Sequence, residues 1–219
     1  MMGNINRDYI ESYIRDLLPE TPHFLKDLEV YAEENHIPIV HPEVAQLLKV
    51  LIMIKKPKNI LEVGTAIGYS AIVMAESMDN YGNIITIERR DDMVKIASEN
   101  IKNKGFDKKI KILNGDALDI LPTLNKKFDF IFLDAAKGKY KEFLPYCINN
   151  LVDGGILVSD NVLFRGMVAN DDLVIRRKKT IVKRMREYLR YISNKPNLET
   201  SIIPIGDGVA LTYKKEENQ

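Results

Sequence analysis

From Asn59 onward, short apolar runs alternate with amphipathic stretches, and this rhythm constrains the fold more than any other feature of the chain. The apolar runs cover residues 59–63, 83–88, 109–114, 128–134 and 155–159, and helical patterns centre on 70–77, 91–104, 117–124 and 140–151 between them. Nearly continuous apolar strands are buried on both faces, and strands alternating with helices run parallel. Residues 200–204 and 209–213 break the rhythm. Only Ile205-Gly206-Asp207-Gly208 joins them, and so short a connection permits only an antiparallel hairpin. The expectation is an α/β fold: a doubly wound, Rossmann-like and mostly parallel sheet carrying an antiparallel strand from a C-terminal hairpin.

Residues 1–55 form a helical prelude to the core at 56–219, and the length suits one domain, 1–219. Ile10, Tyr13, Ile14 and Leu17 fall at helical spacing before Pro19. A second pattern, about 22–35, sets Phe24, Leu25, Leu28 and Tyr31 on one face. A third begins near Pro42 and points Val44, Leu47, Leu48 and Leu51 inward. Residues 1–18 carry Asp8, Glu11 and Asp16 among their apolar side chains, which is not the pattern of a signal peptide. No apolar run approaches the roughly 20 residues that span a bilayer, so no membrane partner is expected. A single cysteine, Cys147, excludes an intrachain disulfide and suits a reducing, cytoplasmic setting. His23, His36 and His41 precede the core without metal-ligand spacing and read as structural or surface residues.

The turn after the first strand reads Glu62-Val63-Gly64-Thr65-Ala66-Ile67-Gly68-Tyr69-Ser70. Gly64 allows a sharp turn and close approach of a ligand, and Gly68 allows the helix to start tight against the strand. The same spacing serves packing alone in many α/β domains. The second strand ends at Glu88, about 20 residues beyond the loop, where an acid accepts the ribose hydroxyls of an adenosine. The third ends in Asn114-Gly115-Asp116-Ala117. Asp116 there reaches an adenine amino group, caps the next helix, or does both. A pyrophosphate-binding loop has a middle glycine, and here that position is Ala66. Glu62 would repel a pyrophosphate and suits a cationic amino-acid end. Both features favour S-adenosylmethionine (SAM) over NAD.

The fourth strand runs into Asp134-Ala135-Ala136-Lys137 and the fifth into Asp160-Asn161. In a parallel sheet both ends lie on the carboxyl edge, beside the cofactor loop. Asp134, Asp160 and Asn161 offer two carboxylates and an amide oxygen, a hard donor set suited to Mg²⁺, with Mn²⁺ or Ca²⁺ as alternatives. Each acid alone would serve equally as a cap or turn residue. Lys137 reads either as a general base beside the metal or as a surface lysine opening the next helix.

Lys+Arg total 32 against Asp+Glu 31, so net charge points to no acidic partner. Local charge says more. Lys137, Lys139 and Lys141 cluster by the acids, and Arg165 follows Asn161. A basic helical segment over 171–194 then brings Arg176, Arg177, Lys178, Lys179, Lys183, Arg184, Arg186 and Arg190, interrupted only by Glu187. The run is either a phosphate-tracking surface or a solvated helix face. Phe164 and Tyr140 are candidates to stack on a base, or are core.

Residues 60–70, Glu88, Gly115-Asp116-Ala117, Asp134-Ala135-Ala136-Lys137 and Asp160-Asn161 together resemble the catechol and caffeoyl-CoA type of metal-dependent O-methyltransferase. The likeness runs from about Ile37 to Tyr213. It implies a class I methyltransferase fold, with SAM held by Val40, Glu62, Gly64, Tyr69, Ser70, Glu88, Asp116, Ala117 and Asp134. It further implies a metal on Asp134, Asp160 and Asn161, with Lys137 and Asp134 catalytic. Within that family, Pro38-Ile39-Val40, 64–70, 134–138, 160–166 and 204–208 resemble the bacterial tRNA 5-hydroxyuridine methyltransferases. That branch implies methylation of the wobble 5-hydroxyuridine to 5-methoxyuridine and an anticodon stem-loop as partner. Lys139, Arg165, Arg176, Arg177, Lys178, Lys179, Lys183 and Arg184 would bind the RNA. Homologous enzymes suggest a homodimer, with the N-terminal helices as its contact. The competing expectations are the same chemistry on a small catechol, and a SAM- or nucleotide-binding module without chemistry.

Overall fold

The computed structural model describes residues 5–216. Three helices, α1 (Asp8–Asp16), α2 (His23–Glu34) and α3 (Pro42–Lys55), lead into β1 (Asn59–Val63) and α4 (Tyr69–Ser77). Then follow β2 (Asn83–Glu88), α5 (Asp91–Asn103), β3 (Ile110–Asn114), α6 (Ala117–Ile120), β4 (Phe128–Leu133) and α7 (Tyr140–Asn150). The chain ends with β5 (Leu151–Ser159), α8 (Lys179–Asn194), β6 (Leu198–Ile203) and β7 (Val209–Lys214). Seven strands form one sheet in the order β3-β2-β1-β4-β5-β7-β6. Only β7 runs against its neighbours, so the expected hairpin closes one edge of a parallel sheet.

Side chains alternate across the strands and build a core on each face. Ile60, Ile84, Phe130, Phe132 and Val158 pack with Leu25, Leu48, Ile72 and Met93 of the helices α2 to α5. Leu61, Val63, Ile131, Leu133 and Leu157 pack with Tyr140, Leu144, Met185 and Tyr188 of α7 and α8. The sheet is covered on both sides, as its apolar strands required. No helix among the described residues is long and apolar enough to cross a membrane.

The structure departs from the sequence reading in four places. The apolar pattern of α1 is not core: no residue of that helix is buried, and Tyr9, Tyr13 and Leu17 are 70, 64 and 66% exposed. On α2 the inward stripe is Leu25, Leu28 and Ala32, with Tyr31 turned outward. Strand β5 begins at Leu151 rather than at Gly155, its first residues separated from the rest by a register shift against β4. The basic segment is not one helix: two 3-10 turns, Asp171–Leu173 and Arg176–Lys178, precede α8.

Candidate active site

Past their last strand residues, β1 to β5 keep their ladder bonds, and this sets the acids in a row. Gly115 N–H donates to Glu88 O at 2.9 Å and Gly64 N–H to Ile87 O at 3.0 Å. Asp134 N–H donates to Val63 O and Asp160 N–H to Leu133 O, both at 3.0 Å. A cavity of about 890 Å³ opens over this carboxyl edge, lined among others by Val40, Gly64, Glu88, Asp134, Lys137 and Asn161.

At one end the glycine loop shapes the wall. Gly64 has φ +103°, and a Cβ there would fall 1.9 Å from the Asp134 carbonyl oxygen. Close approach to the Asp134 backbone therefore requires glycine here, and Gly64 also lines the cavity. Gly68, at φ +86°, packs against Ala97 of α5 rather than the strand. Glu88 accepts from the loop N–H of Ala66 at 3.0 Å and from Arg90 N–H at 2.9 Å, which fixes its carboxylate on the cavity rim. Asp116 caps α6 through Leu118 N–H at 2.8 Å and, with Ala117, also lines the cavity, so both expected roles are geometrically compatible. Val40 is buried against the same wall.

Glu62 lies beneath the loop, fully buried, with one carboxylate oxygen accepting from Ser70 Oγ and the other from Thr86 Oγ1, both at 2.5 Å. It is not on the cavity wall, whereas Ser70 is. Any reach from Glu62 to a ligand passes through that serine. Burial lifts its carboxyl from 4.5 to about 8 against the pull of the two hydroxyls, with Asp134 and Glu88 adding to the rise. Tyr69 edges the cavity, but its hydroxyl donates to Glu29 of α2 at 2.7 Å, tying the loop to the helical prelude.

At the other end, Asp134, Asp160 and Asn161 converge. Asn161 adopts the left-handed region, φ +56°, tolerable for asparagine. Its N–H turns back to Asp160 Oδ1 at 2.6 Å, and its Oδ1 accepts from Lys137 Nζ at 2.7 Å. Asp160 is fully buried, and its Oδ2 has no hydrogen-bond partner, the single such atom among the described residues. Burial and the neighbouring Asp134 push the Asp160 carboxyl well above its ordinary range. Asp134 is raised too, by burial, with Lys137 pulling the other way. A buried, unpartnered carboxylate oxygen beside a second acid and an amide oxygen fits a hard divalent cation. Tyr140 is core: its buried hydroxyl donates to the carbonyls of Leu133 and Asp160, at 3.1 and 3.0 Å, and so joins the ends of β4 and β5. It cannot stack on a base. Phe164 is 8% exposed, with the ammonium groups of Lys137 and Lys178 at 5.8 and 5.6 Å from its ring centre.

The basic run does not form one surface. Lys139 and Arg165 line the cavity, but Lys139 also pairs with Glu142 at 2.7 Å, as does Arg184 at 3.4 Å. Arg186 pairs with Asp171 at 2.7 Å and Lys141 with Glu187 at 2.8 Å, so several acids, not Glu187 alone, interrupt the charge. Arg176, Arg177 and Lys178 follow Ile175, which is on the cavity wall. Lys179 and Lys183 lie along a separate groove with Arg190.

Sequence reasoning missed Arg15, His41, Asp207, Arg89 and Arg90, all on the cavity wall. His41 is exposed, as expected, but it also lines the cavity beside Val40 and packs against Gly206 of the turn before Asp207. Its adjacency to Val40 and Pro42 was the available signal. Arg15 gave none, because the fold brings it from 26 residues away in sequence to within 3.2 Å of His41.

Residues 18–215 match the model of a family described as O-methyltransferase. A catechol O-methyltransferase of Niastella koreensis is 34% identical over 177 residues, 78% of this chain and 80% of that protein. An O-methyltransferase of Bacillus cereus, solved with S-adenosylhomocysteine (SAH), superposes with a TM-score of 0.84 at 26% identity, covering 94% of this chain and 97% of that one. The O-methyltransferase TomG of Streptomyces achromogenes, involved in tomaymycin synthesis and solved with SAM, gives 0.85 at 26% identity, covering 99% and 100%. With the matched model spanning most of its length, the chain belongs to the O-methyltransferase family, in its catechol and caffeoyl-CoA type.

Proposed function

We propose that this chain transfers the methyl group of SAM to a hydroxyl oxygen with the help of a divalent cation, and that the hydroxyl belongs to wobble 5-hydroxyuridine in tRNA. The orphaned Asp160 Oδ2 beside Asp134, Asn161 and Lys137 carries the chemical part. SAM, supported by the relatives solved with SAM or SAH, supplies an electrophilic methyl at the loop end of the cavity. Asp134, Asp160 and Asn161 would hold the cation, most simply Mg²⁺, which would lower the pKa of the acceptor hydroxyl. The protein's own part is positional. Lys137 Nζ, held by Asn161 Oδ1, would first lose a proton to solvent and then, as the neutral amine, take the hydroxyl proton as the O–H bond breaks, while the wall residues hold acceptor and donor in line.

The RNA acceptor is supported by Arg89 and Arg165 on the cavity wall and by Arg176, Arg177 and Lys178 beside Ile175. An unstacked anticodon base can be splayed into such a cavity, while the cations follow the backbone. A small catechol is the second reading, favoured by the name of the Niastella koreensis relative and by the ion pairs that engage Lys139 and Arg184. The helical prelude leaves Tyr9, Tyr13, Met53 and Ile54 exposed, which supports a homodimer through that layer. The buried free Cys147 suits a cytoplasmic setting.

Incubation with SAM, Mg²⁺ and tRNA carrying 5-hydroxyuridine, followed by nucleoside mass spectrometry, tests the reading. The expected product is 5-methoxyuridine, lost in excess EDTA. Rapid methylation of a free catechol with none of the tRNA would establish the second reading. Full activity in EDTA would remove the cation from either.

A further inference from the structure

Helix α1 borders the cavity while burying nothing. Ile5, Glu11 and Arg15 are on the cavity wall, yet no α1 residue is buried. Two polar tethers span the distance. Before the helix, Asn6 Nδ2 donates to Pro204 O at 2.7 Å, next to the Gly206-Asp207 turn that also lines the cavity. At its other end, Arg15 forks onto Glu43 of α3, Nε to Oε2 and Nη2 to Oε1, both at 2.9 Å. The same Nη2 lies 3.2 Å from His41 Nδ1, which must accept because a guanidinium only donates. The Glu43 side chain is 3% exposed, that of Arg15 39%. Burial alone would raise Glu43, but the Arg15 fork outweighs it with help from the backbone, and the carboxyl sits below its ordinary value. A bidentate pair with one partner buried is a strong, directional latch.

His41 packs against Gly206, and the Asp207-Gly208 turn beside it accepts from the backbone of Val162 and Leu163, just past Asn161, so this latch stands at the acceptor end of the cavity. A nine-residue helix has little stability of its own, and α1 has no buried side chain to hold it down. We propose that residues 5–16 form a strap across the acceptor end of the cavity and that Arg15 is a specificity-determining residue, selecting acceptors by size through its hold on Glu43. The proposal rests on the reading of the Asp134 end as the acceptor site.

The test uses the full-length double variant Arg15→Ala/Glu43→Gln, which opens the fork without leaving a buried unpaired carboxylate. Amide hydrogen exchange over residues 8–16 should quicken at least tenfold, with α3 unchanged. Two acceptor probes, 3,4-dihydroxybenzoate and an anticodon stem-loop bearing 5-hydroxyuridine, should show their ratio of kcat/KM shift at least tenfold toward the larger. SAH affinity by calorimetry should stay within twofold. Arg15→Lys, which keeps the charge but not the fork, should fall between parent and double variant. Unchanged α1 exchange in an active enzyme overturns the strap. An unchanged probe ratio, or loss of SAH affinity in step with it, overturns the specificity role. A parent that methylates neither probe refutes the acceptor reading itself, and the specificity role with it.

Discussion

Asp160→Asn should make the metal-free protein more stable while abolishing its activity. Asp160 Oδ1 accepts the Asn161 N–H, and an asparagine carbonyl keeps that bond. Oδ2 is buried without a partner beside Asp134, and the substitution puts an N–H donor in its place, facing a carboxylate. An ionised Oδ2 is unsatisfied, whereas a protonated one can donate to Asp134 as the amide would, so the gain is greatest at a pH where Asp160 is ionised. Removing an unsatisfied buried polar group recovers about 1–3 kcal/mol, and in a chain of this size each kcal/mol moves Tm by roughly 2–4 °C. Calorimetry in EDTA at such a pH should therefore place the variant several degrees above the parent. Added Mg²⁺ should reverse the order, since a cation at a hundred times its Kd stabilises its site by about 2.7 kcal/mol and the variant has lost a charged ligand. Turnover should fall by about 10²-fold or more, the range for loss of one preorganised electrostatic group. A variant that melts below the parent in EDTA, or gains as much from Mg²⁺, would refute the reasoning.

Two further substitutions test the loop end. The Glu62 carboxyl, lifted from 4.5 to about 8, binds a proton more tightly in the folded state. Its contribution is therefore complete below pH 4.5, falls by about 1.4 kcal/mol per pH unit above that, and is lost as pH passes 8. Glu62→Gln should flatten that slope in urea titrations at pH 6 and pH 9, and parallel curves for parent and variant would exclude the assignment. Gly64→Ala forces a Cβ into the Asp134 carbonyl at a left-handed φ. It should cost about 3 kcal/mol or more and weaken SAH binding and turnover together; an active variant with normal SAH affinity would show that the loop does not fix the Asp134 strand end.

The α/β core was legible because its signals are local. The apolar runs of β1 and β4 bury both faces, and the five residues between β6 and β7 allow one geometry. What was not legible depended on distant partners. Residues 151–154 belong to β5 because Leu151 pairs with Phe128 and the extra residues of β5 are absorbed before Ile156 pairs with Phe130, and no window around Asp153-Gly154-Gly155 contains that information. The pattern Ile10, Tyr13, Ile14 is as amphipathic as a core helix, but its neighbours turned out to be a cavity on one side and solvent on the other.

The site divides in the same way. Glu88, Asp134, Asp160 and Asn161 sit at strand ends, so strand assignment alone carries them to one edge. Their supports come from elsewhere in the chain. Tyr140 reads as an aromatic fit for a base, and only the fold shows its hydroxyl fastened to Leu133 and Asp160. A run of cations likewise states how much charge a segment has, not how much is available. Lys139 and Arg184 share Glu142, whereas Arg176 and Arg177 have no ion-pair partner among the described residues. An ion pair lowers the potential a phosphate would feel, so charge available to a polyanion is the residue after pairing. By that measure the surface beside Ile175 outweighs the stretch around Gly138, although both read as equally basic along the sequence.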